Sequence, residues 1–331
     1  MKIVVDRAIP FLQGVLEPHA EVVYAAGSDI GPATVRDADA LIIRTRTRCD
    51  ARLLAGSRVQ FIATATIGYD HIDTAWCAAH GIAWATAVGC NARGVLQWVA
   101  AGLVWLAQRE GWHPSERTLG VVGVGHVGSL VAEYAADWGF RVLCCDPPRE
   151  AREHLGFLAL DEVAEAADLL TFHTPLDAST RHLADARLLQ RMPPGAVLIN
   201  ASRGEVADTR ALLTGGHPCL LDVWEGEPCP DRRLLDAALL ATPHVAGYSR
   251  QGKANATALA VAALERHFGW PVSGWYPPEV VPSQPRKIGW EELCRTIGGY
   301  CAIEAESRQL KSAPEAFESL RNGYAYREEY F

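Results

Sequence analysis

No stretch of this 331-residue chain stays apolar for the ~20 residues that a bilayer-spanning helix requires. Its longest apolar run, 98–106, has about half that length and reads as a buried helix. A secretory signal is not expected either, because Asp6 and Arg7 interrupt the only apolar opening, and a cytoplasmic protein is the expectation. Positive charge is not in excess. A net charge of −8 argues against a nucleic-acid partner, which would need a dominant basic surface, so any phosphate on a substrate must be held by a local basic cluster. The nine cysteines include the adjacent Cys144 and Cys145 but no C-x-x-C pair and no His/Cys group with zinc spacing. Reduced thiols are expected, with no metal site and no membrane partner. Internal repeats and low-complexity tracts are absent as well. What remains is an ordinary globular composition, 49% hydrophobic and 21% charged, in a chain long enough for two or three domains of roughly 100–200 residues.

The apolar residues fall into short runs separated by helical patterns. Runs at 2–5, 22–25, 40–43, 59–63 and 82–84 read as strands of a parallel sheet, since strands covered on both faces need consecutive apolar residues. A long helix is expected over 91–108, closed by Gly111 and Pro114. A second series of strands follows at 119–122, 141–145, 169–172, 196–199, 219–221 and 239–241, the alternation that a doubly wound nucleotide-binding domain requires. A helix over 254–268 is expected to return to the first lobe, making that lobe discontinuous. Pro271, Pro277, Pro278, Pro282 and Pro285 then mark a linker. Helical patterns at 290–305 and 313–320 lead to the charged tail Tyr326-Arg327-Glu328-Glu329-Tyr330-Phe331. At about 45 residues this last part is too short for a secure core and is expected to gain burial by association.

The stretch that organises the chain is Gly123-Val124-Gly125-His126-Val127-Gly128, which joins the strand 119–122 to an amphipathic helix with G-x-G-x-x-G spacing. The first glycine permits the tight turn, the second lets backbone approach a pyrophosphate, and the third lets helix and strand pack closely, with the helix N-terminus facing the anion. Asp146, at the end of the next strand and about 20 residues on, is placed to accept bonds from ribose hydroxyls. Three glycines alone would fit a turn in an unrelated α/β protein; the strand, helix and acid together make a dinucleotide site, and NAD the expected cofactor.

Polar residues also follow the later strands: His173 and Thr174, then Asn200, Ser202 and Arg203, then Asp222, then His244. Ligands of open α/β sheets gather at those carboxyl ends. Any single one of these residues suits a loop, but strand after strand delivers one. A hydride leaves an alcohol carbon only as the hydroxyl proton is removed, and imidazole is the natural acceptor, which makes His244 the candidate base. A carboxylate beside it would orient the ring; Glu227 and Glu225 both qualify. Arg203 offers the planar fork that grips an α-carboxylate. Arg44, Arg46 and Arg48 alternate with threonines and would share one face of an extended segment, so Arg44 and Arg46, with Arg93, are candidates to hold a phosphate.

These segments, with Asn200-Ala201-Ser202-Arg203-Gly204, Asp222-Val223-Trp224-Glu225-Gly226-Glu227-Pro228 and Pro243-His244-Val245-Ala246-Gly247-Tyr248, resemble the D-isomer-specific 2-hydroxyacid dehydrogenases over nearly the whole chain. The resemblance implies two Rossmann-like α/β lobes, one flavodoxin-like and one NAD-binding, with a small C-terminal α-containing dimerisation appendage. It implies a substrate lobe of 1–92 plus 253–270, an NAD domain of 93–252 and a dimerisation segment of 271–331. It assigns catalysis to Arg203, Glu227 and His244, choosing Glu227 over Glu225. It places Gly123, Gly125, His126, Val127, Gly128, Asp146, Thr174, Ala201, Ser202, Asp222 and Gly247 at the cofactor. Within the family the likeness is greatest to the branch that oxidises 4-phosphoerythronate in pyridoxal phosphate synthesis, carried by Thr64-Ala65-Thr66-Ile67-Gly68-Tyr69-Asp70-His71 and Gly89-Cys90-Asn91-Ala92-Arg93-Gly94. That branch implies Thr45, Thr66 and Tyr248 at the substrate, and a homodimer. The alternatives are a relative acting on 3-phosphoglycerate or on glycerate and hydroxypyruvate, and a non-catalytic NAD-sensing regulator. Glu205 departs from the family pattern in standing where a small apolar residue is common, and is expected to face outward.

Overall fold

The computed structural model describes residues 1–271 and 274–331; Val272 and Ser273, within the expected proline linker, lie outside the described residues. The chain divides into two compact units, Met1–Asn91 with Arg250–Pro282 and Ala92–Ser249 with Ser283–Phe331.

The first unit carries β1 (Lys2–Asp6), β2 (Glu21–Ala25), β3 (Ala40–Ile43), β4 (Phe61–Thr64) and β5 (Ala83–Thr86). They form a parallel sheet in the order β2-β1-β3-β4-β5. Every residue of β3 and β4 is buried, whereas the edge strand β2 opens on an exposed Glu21. The consecutive apolar runs are thus explained by helices covering both faces. The helix Arg250–Phe268 supplies one such cover: Ala260, Val261, Ala263 and Leu264 pack with Ile3, Val5, Ile42 and Phe61.

The second unit carries β6 (Thr118–Val122), β7 (Arg141–Cys145), β8 (Leu169–Phe172), β9 (Val197–Asn200), β10 (Cys219–Leu221) and β11 (Leu240–Ala241). All pair in parallel, in the order β11-β10-β9-β8-β6-β7. The order reverses between β6 and β8, the switch point at which open α/β sheets bind ligands. The register sets the strand ends in one row: Val122 pairs with Cys145 and with Phe172, Phe172 with Asn200, Asn200 with Leu221, and Leu221 with Ala241. The residues that follow each strand therefore emerge at a common edge. Behind the sheet the helix Ala92–Glu110 is almost wholly buried, with Trp98, Leu103 and Leu106 fully enclosed.

One expectation is corrected. A single helix over 290–305 does not form: Trp290–Thr296 ends in a 3-10 turn, Ile297–Gly299, and a new helix, Ile303–Ser312, begins after it. Adjacent Gly298 and Gly299 explain the break, since each glycine costs about 1 kcal/mol in a helix interior. The segment after 282 packs with its own sheet unit. Ile288, Leu293, Ile297, Ile303 and Phe331 join the main core of the second unit, while Leu310 and Phe317 join its second cluster. Association with its own sheet unit supplies the burial. Arg327, read from sequence as part of a charged tail, is buried and donates to the carbonyls of Gly94 (3.0 Å), Val245 (3.2 Å) and Ala246. No helix among the described residues is long and apolar enough to cross a membrane.

Candidate active site

At the switch point the glycines act by separate physical means. Gly123 has φ +84°, and a Cβ there would lie 2.9 Å from the His173 carbonyl. At Gly128 a Cβ would meet the carbonyl oxygen of Gly123 at 1.9 Å, so only glycine allows the helix His126–Trp138 to lie this close to the turn. Gly125, the helix N-cap, faces open space, with no atom within 4 Å of its would-be Cβ, and His126 beside it is exposed. Asp146 closes the turn from β7: its carboxylate accepts from Val124 N–H (2.8 Å) and from Arg149 N–H (3.0 Å). One partly buried backbone contact thus ties the acid to the glycine loop.

After β8, His173 and Thr174 bring buried polar atoms to the same edge. His173 Nε2 meets Thr171 Oγ1 at 3.0 Å, whereas His173 Nδ1 and Thr174 Oγ1 are buried with no hydrogen-bond partner. Burial pushes the His173 imidazole down to about 3, so it stays neutral near pH 7. Buried polar atoms without partners are rare in native proteins. Together with the open face at Gly125 and the glycine turn, they fit a dinucleotide that would supply the missing bonds.

After β9, Asn200 shapes the loop that presents Arg203. Its Oδ1 accepts from Ser202 N–H (3.0 Å) and Oγ–H (2.8 Å), and its Nδ2–H donates to the Arg203 carbonyl (2.9 Å). Gly204 follows because the loop abuts Trp224, whose carbonyl carbon would be 2.0 Å from a Cβ. Arg203 and Glu205 are both half-buried. Ala201, also half-buried, and Ser202 sit in the same loop.

Asp222 and His244 are built as one unit. Asp222, 1% exposed, accepts from Thr242 Oγ1–H (2.6 Å), Val245 N–H (2.8 Å) and Ala246 N–H (2.8 Å). Thr242 Oγ1 in turn accepts from Trp98 Nε1–H at 3.0 Å. Through these bonds the Asp222 carboxylate holds the His244 loop. The result is His244 in a left-handed conformation, φ +58°, which a non-glycine residue adopts only when its surroundings over-determine it.

His244 Nδ1 lies 2.7 Å from Glu227 Oε2. Glu227 Oε1 accepts from Trp224 N–H (3.0 Å), and Arg321 Nη1 approaches Oε2 at 3.5 Å. Burial pushes the Glu227 carboxyl up, but His244, Arg321 and the Trp224 N–H outweigh it and hold the group below its ordinary value. Glu225 turns elsewhere, to His182 Nε2 (2.6 Å) and Thr209 N–H (2.9 Å). The geometry leaves Glu227 as the carboxylate that orients His244. Gly247 and Tyr248 continue the loop, half-buried.

In the first unit the candidates stand at the carboxyl edge of β1, β3 and β4. The expected extended segment over 44–48 is instead a turn, closed by Thr47 N–H to the Arg44 carbonyl (3.1 Å), so Arg44 and Arg46 do not alternate on one face. Turn formation is favoured by Thr47 Oγ1–H, which donates to the Gly27 carbonyl (3.0 Å) and is buried there. Arg44 Nε pairs with the buried Asp6 at 3.1 Å, and Thr45 and Arg46 are exposed beside it. Arg48 pairs with Asp50. Thr66 Oγ1 meets Thr64 Oγ1 at 2.6 Å and the Gly68 carbonyl at 3.0 Å. Arg93 belongs to the second unit, where it donates to the Phe331 carbonyl (3.0 Å) and approaches Tyr134 Oη (3.3 Å). Those bonds engage its guanidinium within the second unit.

Sequence reasoning missed Arg321, Thr242 and Arg327. Thr242 carries a local signal, since it directly precedes Pro243-His244; the two arginines carry none, because only tertiary packing brings Ser283–Phe331 to this edge.

Residues 83–246 match the model described as D-isomer specific 2-hydroxyacid dehydrogenase, NAD binding domain. A curated relative, erythronate-4-phosphate dehydrogenase of Bacteroides fragilis, is 46% identical over 99% of this chain and 97% of its own length. An NADPH-dependent glyoxylate/hydroxypyruvate reductase from Sinorhizobium meliloti, solved with NADP and malonate, superposes with a TM-score of 0.69 at 28% identity, covering 87% of this chain and 99% of that one. D-lactate dehydrogenase from Aquifex aeolicus, solved with NAD and lactic acid, shares the fold with a TM-score of 0.67 at 23% identity, over 86% of this chain and all of the other (100%).

Proposed function

We propose, for a chain that belongs to the D-isomer-specific 2-hydroxyacid dehydrogenase family, the NAD-dependent oxidation of 4-phospho-D-erythronate to 2-oxo-3-hydroxy-4-phosphobutanoate, within the synthesis of pyridoxal 5'-phosphate. The observation that carries this reading is the 46% identity to an erythronate-4-phosphate dehydrogenase across 99% of the chain. The protein is then a cytoplasmic enzyme, and a homodimer by likeness to that branch of the family.

In this reading Gly123, Gly125, His126, Val127 and Gly128 hold the pyrophosphate of NAD, Asp146 its ribose, and Thr174, Ala201, Ser202 and Gly247 line the remainder. NAD, when bound, supplies the acceptor for the hydride that leaves the substrate carbon. His244 takes the hydroxyl proton at Nε2, since its Nδ1 is engaged by Glu227 at 2.7 Å. Glu227 fixes the ring and stabilises the imidazolium. Arg203 grips the α-carboxylate, and Thr45, Thr66 and Tyr248 contact the remainder of the substrate. NADH formation from 4-phosphoerythronate, in a panel with 3-phosphoglycerate, glycerate and unphosphorylated erythronate, tests the assignment. Preference for any other acid, or no turnover at all, defeats it.

Arg44 and Arg46 supply the positive charge for the phosphate. Replacing both by alanine should raise KM for the phosphorylated acid far more than for its unphosphorylated analogue. Because Arg44 also offsets the buried Asp6, Arg46→Ala alone separates loss of charge from loss of fold. An equal effect on both acids rules the arginines out.

Asp146 sets the choice of cofactor. Its carboxylate would lie against the 2'-phosphate of NADP, a like-charge contact that costs several kcal/mol, so kcat/KM with NADP should be roughly 100-fold below that with NAD. Asp146→Ser should narrow the gap. Comparable rates with both cofactors in the unsubstituted enzyme would contradict the assignment.

A further inference from the structure

The C-terminal segment brings one cation to the acid/base pair. Arg321, on the helix Phe317–Asn322, is 24% exposed in its side chain and sits with Nη1 3.5 Å from Glu227 Oε2 and Nε 3.3 Å from Tyr248 Oη. Its helix is anchored by Phe317, 1% exposed within the second core cluster. The same segment boxes the Tyr248 ring between Tyr324 and Tyr326, both edge-on, with centroids at 6.0 and 6.2 Å. Four polar contacts converge on or beside one carboxylate: Trp224 N–H on Oε1, His244 and Arg321 on Oε2, and Tyr248 on the far side of the guanidinium.

We propose that Arg321 is a positioning residue for the reaction: it shares Glu227 with His244 and holds Tyr248 beside them, so that the C-terminal segment tunes the strength of the base. The inference rests on the reading of His244 and Glu227 as the acid/base pair. A carboxylate that also faces a guanidinium has less charge to offer an imidazolium. Sharing the carboxylate in this way disfavours the protonated state of the Glu227–His244 pair, the state that cannot accept the substrate proton.

The neighbouring charges do not duplicate this role. Asp222 spends its carboxylate on Thr242, Val245 and Ala246. Glu225 is held by His182 and Thr209. Arg327 is directed to backbone carbonyls and to Tyr324 Oη, and the Tyr324 hydroxyl also donates to Glu306 at 2.6 Å. Arg203, on the loop after β9, is assigned to the substrate carboxylate. Among the described residues Arg321 is the cation that hydrogen-bonds to Glu227.

The experiment is the pH profile of kcat for the full-length enzyme with saturating NAD and 4-phosphoerythronate, or with whichever 2-hydroxy acid the panel identifies. Lack of turnover with 4-phosphoerythronate alone bears on the substrate assignment and leaves this test in place. Arg321→Gln should move the acid limb up by about half a pH unit or more. Arg321→Lys should restore it. Arg308→Gln, an exposed arginine of the same segment paired with Glu304, should leave the profile unchanged. Should the glutamine variant fail to fold, Arg321→Met keeps the length and apolar stem of the side chain and carries the same prediction. An acid limb that stays in place in the neutral variants, or that moves equally in Arg321→Lys, overturns the proposal and reduces Arg321 to a packing residue.

Discussion

Replacing His244 by alanine should lower kcat by about 100- to 10,000-fold, the usual contribution of a positioned general base, while leaving NAD binding nearly intact. The separation of the two effects follows from the architecture. The glycine turn and Asp146 stand on β6 and β7, and His244 follows β11, at the opposite edge of the sheet. The imidazole is 27% exposed on its side chain, and its Nδ1 bonds to Glu227 rather than to any part of the glycine turn. Glu227→Gln should reproduce much of the loss, because an amide can keep a bond to Nδ1 yet offers no charge to an imidazolium. Titration of NADH binding by fluorescence, set beside steady-state rates, checks both variants. Weakened cofactor binding matching the loss of kcat in His244→Ala would make the residue structural instead.

The second large effect is expected at a residue that touches no reacting atom. Asp222→Ala should destabilise the second unit by several kcal/mol and, in whatever fraction folds, remove most activity. Three donors lose their acceptor at once: Thr242 Oγ1–H, Val245 N–H and Ala246 N–H. A buried donor left unsatisfied costs about 1–3 kcal/mol, and here all three donors are buried. The left-handed backbone at His244 then loses two of the bonds that enforce it. Asp222→Asn is the sharper variant. It keeps the volume and one acceptor oxygen but places an NH2 group against a backbone N–H, so it should lose less stability than alanine while still displacing His244. Thermal denaturation and the rate at saturating substrate together read out the pair of effects. Stability close to that of the unsubstituted protein in Asp222→Ala would show that Arg327, which holds the Val245 and Ala246 carbonyls from the other side, secures the loop alone.

How much of this was legible beforehand differs from residue to residue. The strands were visible because a parallel sheet covered on both faces leaves consecutive apolar residues, and 40–43, 141–145, 169–172 and 219–221 were placed with the observed ends. The glycine turn was visible because each of its three requirements is local to the turn. Glu225 and Glu227, two residues apart on one loop, could be told apart before the structure only through the family resemblance. Their difference lies in what each meets across the fold: His182 and Thr209 for one, His244 and Trp224 for the other. The arginines of 44–48 were misjudged because a threonine side chain, Thr47, reached a carbonyl in a distant loop and turned the segment.

What the sequence alone determined is the set of features whose cause is short in range: buried parallel strands, the dinucleotide turn, the acid after β7 and the polar residues that end each strand. Tertiary structure decided what depends on partners far away in the chain. It directed Asp222 beneath the His244 loop, committed Arg93 to Phe331, and carried Arg321 and Arg327 to the site from the C-terminal segment. Those outcomes rest on burial and hydrogen-bond satisfaction, which are properties of the packed molecule, and no local pattern records which distant group will meet the need.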